Sequence, residues 1–230
     1  MSVSRKEFLS LGLAGAATLA LGRPAEAQLV EKAGDWSPKS FHALMSRSAR
    51  YRQVYDITVI NQGVFLNNIK NSLNGFQFSY GAAPAEINIV AALHGSANLL
   101  NFDDAMWAKY RLGEYAGVKD PATGAPAARN IFHRSKADAS NHSPDDEKSI
   151  YQDHSIEGLQ KRGVKFLICH TATEEQARKL IQRFSLSAKP EEIVGDLLAH
   201  KLPGSLVVPA MVAAVAVLQL EGRFSYITVA

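Results

Sequence analysis

The 230-residue chain has the length of one domain with room for a leader and an extension, and its composition, 47% hydrophobic and 20% charged, excludes a disordered or fibrous polypeptide. Net charge is only +3, and no dense basic run interleaved with aromatic residues is present, which argues against a nucleic-acid partner.

Arg5 and Lys6 precede an apolar stretch from Phe8 to Gly22, and Ala25-Glu26-Ala27 supplies the small-x-small pattern of a signal-peptidase site. The apolar run of about 15 residues is short of the roughly 20 that a hydrocarbon core requires. A cleaved signal peptide over residues 1–27 is therefore expected, with a periplasmic or otherwise exported product and no membrane association afterwards. Ser4-Arg5-Lys6-Glu7-Phe8-Leu9 resembles the twin-arginine export motif, with Lys6 in place of the second arginine. Cleavage removes three basic and two acidic residues, leaving a mature charge of +2. An exported domain with one cysteine has no internal disulfide, so Cys169 is a buried inert thiol, a reactive thiol or half of an intermolecular bond.

Residues 28–50 read as an N-terminal extension in which Trp36, Phe41, Leu44 and Met45 are spaced for a short helix. Val54 to Ile60 alternates and is rich in β-branched residues, predicting a strand. Apolar Val64, Phe65, Ile69, Leu73 and Phe76 predict an amphipathic helix over 64–78, ended by Gly81 and Pro84. Ile87 to Leu93 is almost continuously apolar, as a strand buried on both faces should be. His94-Gly95-Ser96 breaks it, and helical spacing resumes over 97–112, where Trp107 and Met106 are expected in the core and the neighbouring Asp103, Asp104 and Lys109 in solvent.

Residues 113–149 hold Asp120-Pro121, Gly124, Pro126 and Ser143-Pro144 and read as a long, solvated insertion; loops beyond about 12 to 15 residues are uncommon in compact domains. Its His133, His142 and Asp145 to Glu147 carry no specific lid or ion-site signal. Ser155 to Lys161 ends a helix that Gly163 stops, and Val164 to Ile168 is the clearest strand. Cys169-His170 follows, then a helix from about Thr173, whose Thr173-Glu174-Glu175-Gln176 fits a capping box. A helix over Glu191 to His200, a strand over Leu206 to Val208, a helix over Met211 to Leu220 and a strand over Phe224 to Val229 complete the chain. Strands alternating with helices imply a three-layer α/β/α sandwich with a mostly parallel sheet of about five strands. Ligands of such sheets gather at the carboxyl ends of the strands, where Cys169, His170 and His94 are expected.

The segment EGLQKRGVKFLIC (157–169), continued by LPGSLVVPAMVAAVAVLQLEGRFSYI (202–227), resembles the DsrE/DsrF-like family of small sulfur-handling α/β domains, with Phe65 to Gly95 matching less specifically. The resemblance covers about residues 52–112 and 151–230 and implies a DsrE-like domain over 51–230 with an insertion at 113–149. It further implies a sulfurtransferase or sulfur-relay role, homo-oligomers, and a cysteine that carries sulfane sulfur as a persulfide, received from a donor and passed to an acceptor thiol. Cys169 occupies the position that carries the cysteine in part of the family. The export signal and the insertion depart from the family's well-studied cytoplasmic members.

A cysteine ahead of a helix N-terminus is placed for thiolate chemistry, so Cys169 is the catalytic candidate, with His170, His94 and Thr171 as binding candidates and no cofactor implied. His170 reads either as a nearby cation or base that assists Cys169 or, because extended chain alternates, as a residue that faces away from it. His94 has the competing reading of a histidine that merely closes a strand. Three functions remain open: a sulfur carrier, which requires an accessible thiol; a non-catalytic binding or assembly module with a buried Cys169; and a small metal protein, which requires Cys169 and a histidine to converge but shows no ligand spacing. Hydrolase, dinucleotide and P-loop motifs are absent.

Overall fold

The computed structural model describes residues 35–229, so the signal peptide expected over 1–27 and the beginning of the extension lie outside the described residues. Five strands form one sheet: β1 (Tyr51–Ile57), β2 (Ile87–Leu93), β3 (Lys165–Cys169), β4 (Leu206–Val208) and β5 (Ser225–Thr228). All pairings are parallel, in the order β4-β3-β2-β1-β5. Helices α2 (Val64–Asn74), α5 (Ile156–Lys161), α6 (His170–Phe184) and α7 (Pro190–Ala199) pack on one face; α1 (Pro38–Ser46) and α8 (Met211–Leu220) cover the other. The chain is a three-layer α/β/α sandwich.

Alternation along each strand sorts the residues between the two layers. Ile89, Ala91, Leu93, Phe166 and Ile168 enter the larger core; Val54, Val90, Ala92, Leu167, Cys169 and Val208 enter the smaller one beneath α1 and α8. β2 matches its expected bounds and is buried at every position, as a central parallel strand must be. β1 lies three residues earlier than its alternation suggested, because its ladder begins at the Tyr51–Ile87 pair and the chain turns away at Asn61 and Gln62, both at positive φ.

The continuous helix expected over 97–112 is not formed. Gly95–Asn101 is 3₁₀, followed by α3 (Asp104–Lys109) and α4 (Leu112–Ala116). Buried Asn98 and Asn101 explain the break: their amides bond to groups outside the helix, a competition that asparagine wins readily. Trp107 is buried as expected, its indole N–H donating to Leu99 O, and Asp103 caps α3 through Met106 N.

The extension is tied to the sheet. Arg52 on β1 donates to the carbonyls of Met45, Arg47, Ala49 and Gly222, joining the end of α1 to the end of α8. The insertion is anchored more firmly than a solvated loop: Ala127, Asn130, His133 and Ser149 are buried, and Asn130 donates to Leu100 O and Phe102 O. Gly113 is required there, since a Cβ would stand 2.1 Å from Ala127 O. No described helix is long and apolar enough to cross a membrane.

Candidate functional site

The connection after β3 enters α6 on one face of the sheet, whereas the connection after β4 enters α8 on the other. Where neighbouring parallel strands send their chains to opposite faces, a crevice opens at their carboxyl ends, and ligands bind there in folds of this kind. Cys169, the last residue of β3, pairs with Val208 at that edge of the sheet. Its backbone is extended while the next residue is already helical, so the cysteine itself is the N-cap of α6. The cap expected at Thr173 is displaced four residues upstream; the Thr173 hydroxyl instead donates to Cys169 O.

Two backbone N–H groups point at the sulfur. Ala172 N, in the first turn of α6, lies 3.4 Å from Cys169 Sγ, and Met211 N, the first residue of α8, lies 3.3 Å away. Both belong to the free donors of helix N-termini, where the peptide dipoles sum to positive partial charge. One sulfur thus faces the amino ends of two helices, where positive partial charge favours an anion. The thiol is nevertheless only 5% exposed, enclosed by Ala172, Val208, Met211 and the α1 layer.

No family model, curated protein or solved structure matches this chain.

The three histidine and threonine candidates separate. His170, buried at the start of α6, lies with Nδ1 3.1 Å from Glu174 Oε1 and Nε2 3.4 Å from Asp35 Oδ2, so its ring serves the junction between α6 and the extension. Thr171 donates from both its amide and its hydroxyl to Pro209 O, holding the β3 and β4 exits together. His94 sits beyond β2 on the layer that contains Cys169, with Nε2 2.7 Å from Asp56 Oδ1. The other oxygen of Asp56 accepts from Tyr226 Oη at 2.8 Å. The hydrogen-bonded carboxylate holds the Tyr226 hydroxyl above its ordinary value, so it remains a donor at neutral pH.

Sequence reasoning missed Asp56, Tyr226 and Asn98. Asp56 carried a signal, a lone carboxylate within VYDITVI, but alternation alone does not show what meets it. Asn98 carried none, although it holds the site: Oδ1 accepts Cys169 N, and Nδ2 donates to Thr173 Oγ1 and Gln176 Oε1. Gly95 makes the turn after His94 possible. It has φ +53°, and a Cβ there would stand 2.4 Å from Thr58 O.

A groove of about 800 Å³ lies at the other end of the sheet, lined by Arg50, Tyr51, Arg52, Phe76 and Arg223. Size does not make it the site. Arg52 directs its donors to backbone carbonyls, and the Arg50 guanidinium rests 4.9 Å from the Tyr51 ring. Among the described residues no group of three or more His, Cys, Asp and Glu side chains is gathered to hold a metal ion.

Proposed function

We propose that this protein is an exported sulfur carrier of the DsrE/DsrF-like type, in which Cys169 accepts sulfane sulfur as a persulfide and passes it to an acceptor thiol. The observation that supports it best is the convergence of Ala172 N and Met211 N on Cys169 Sγ at the crevice between β3 and β4. A persulfide places its charge on an outer sulfur, and helix N-termini on two sides favour that charge as it forms. Export rests on the leader pattern of residues 1–27. A homo-oligomer is part of the same reading, and the outer side of α8, with Val212 72% and Leu220 82% exposed, offers an apolar surface for it.

Mass spectrometry of the purified protein after brief exposure to polysulfide or thiosulfate tests the assignment. Wild type is expected to gain one or more sulfur masses, and Cys169→Ser none.

The enclosure of the thiol favours a second reading, a non-catalytic binding or assembly module. A pocket of about 390 Å³ formed largely by the insertion, with Phe132, Arg134, Lys136 and Lys148 in its lining, would then carry the partner. That reading takes over if wild type gains no sulfur and an alkylating reagent reaches Cys169 only after denaturation.

A further inference from the structure

The pairing of β2 with β3 runs up to Leu93–Ile168, so the next rung sets His94 beside Cys169. His94 keeps an extended backbone and its N–H donates to Ile57 O, so the strand direction continues through it. Ala92 and Leu167, two residues earlier, both face the α1 and α8 layer, and alternation places His94 and Cys169 on that same face. Neighbouring parallel strands stand about 4.8 Å apart, within reach of an imidazole. Asp56 lies on this face as well, two residues beyond Val54. Tyr226 of β5, Asp56 of β1, His94 after β2 and Cys169 of β3 thus cross the carboxyl edge of the sheet in spatial order.

This order has a chemical direction. Asp56 engages Nε2 of His94, and among the described residues Nδ1 has no hydrogen-bond partner. A carboxylate that holds one ring nitrogen fixes the tautomer and leaves the other nitrogen as the base, the logic shared by nucleophile–histidine–carboxylate sites. The side chains of His94 and Asp56 are 18% and 20% exposed, whereas Cys169 is buried, so the imidazole is open to proton exchange with solvent. Among the described residues the titratable group bonded to His94 is Asp56 from β1, with Tyr226 from β5 acting through Asp56; Cys169 is its neighbour by strand register, with its sulfur bonded to Ala172 N and Met211 N.

We infer that His94 is the catalytic acid–base of sulfur loading at Cys169, with Asp56 and Tyr226 as its positioning residues; the inference rests on the sulfur-carrier reading. His94 Nδ1 takes the proton of the Cys169 thiol. The thiolate attacks the outer sulfur of a donor persulfide R–S–SH, a new S–S bond forms at Cys169, and the donor's S–S bond breaks with its electron pair on R–S⁻. The protonated imidazole returns the proton to that sulfur and R–SH departs. Atoms and charge balance, and no external oxidant or reductant is used.

The test is the rate of sulfur loading by the full-length protein, followed by mass spectrometry between pH 5 and 8 with a glutathione persulfide donor. His94→Gln is expected to load on the order of 10²-fold more slowly, to the same final extent, and to lose the pH dependence shown by wild type. Added imidazole restores part of the rate to His94→Ala, a rescue that a structural role does not give. Asp56→Asn and Tyr226→Phe show smaller losses, in that order, and report on the same chain should His94→Gln fold poorly. If wild type loads and His94→Gln loads at the same rate with the same pH profile, the inference is overturned and the carrier reading stands. If wild type gains no sulfur, the carrier reading fails, and iodoacetamide labelling of Cys169 across the same pH range then decides the proton role. Equal profiles in wild type and His94→Gln, or a thiol closed to the reagent, overturn it too.

Discussion

At the scale of single residues, Asn98 is the support on which the cysteine rests. It is fully buried, and its amide joins the end of β3 to two side chains of α6. Replacement by alanine leaves Cys169 N–H without its acceptor and the partners on α6 without their donor, each a desolvated polar group of about 1–3 kcal/mol. Asn98→Ala is expected to lower unfolding free energy by about 3 kcal/mol in urea titration. It is also expected to speed alkylation of Cys169 in the native state, because the cap loosens. His170, adjacent in sequence to the cysteine, does not share its environment; the change from strand to helix between them turns its ring toward Glu174 and Asp35.

At the scale of elements, α1 shares with α8 the layer that covers the thiol. Phe41, Leu44 and Met45 occupy the same apolar cluster as Cys169, and Asn88 of β2 donates to Leu44 O to hold the helix down. Phe41→Ala removes a buried ring that packs 5.4 Å from Trp36 and is expected to cost about 3 kcal/mol. Native-state labelling of Cys169 should accelerate in the same variant. Lost stability with unchanged labelling would show that α8, not α1, closes the crevice. The extension was readable as a helix from its apolar spacing, but its place over the cysteine was not, since no local pattern states which layer a short amphipathic helix joins.

At the scale of the whole molecule, the insertion links its fold to pH. Burial pushes His133 below its ordinary value, helped by the positive charge of Arg134. The unfolded chain therefore binds a proton near pH 6.5 that the folded chain refuses, and stability falls as pH drops from there through the lower folded value. Thermal unfolding is expected at a lower temperature at pH 5 than at pH 7.5, with the difference reduced in His133→Gln. Asp196 adds to the loss at more acid pH. Burial pushes its carboxyl up, but hydrogen bonds from Lys109 and Tyr110, which fasten α3 to α7, outweigh this and hold it below its ordinary value. Its contribution is therefore present above the ordinary carboxylate range and lost below it.

Much of the architecture follows from the sequence alone, because period-2 and near-3.6 patterns are local and the alternation of strand and helix admits few topologies. The mostly parallel sheet, the span of β2 and the place of Cys169 between strand and helix were legible in this way. The tertiary structure decided the order β4-β3-β2-β1-β5, and with it the crevice at Cys169, the second N–H from α8 and the meeting of His94, Asp56 and Tyr226. These depend on contacts between residues from 38 to 170 positions apart. Such contacts arise from which layer each helix covers and how each strand registers with its neighbour, and no short window of sequence contains that information.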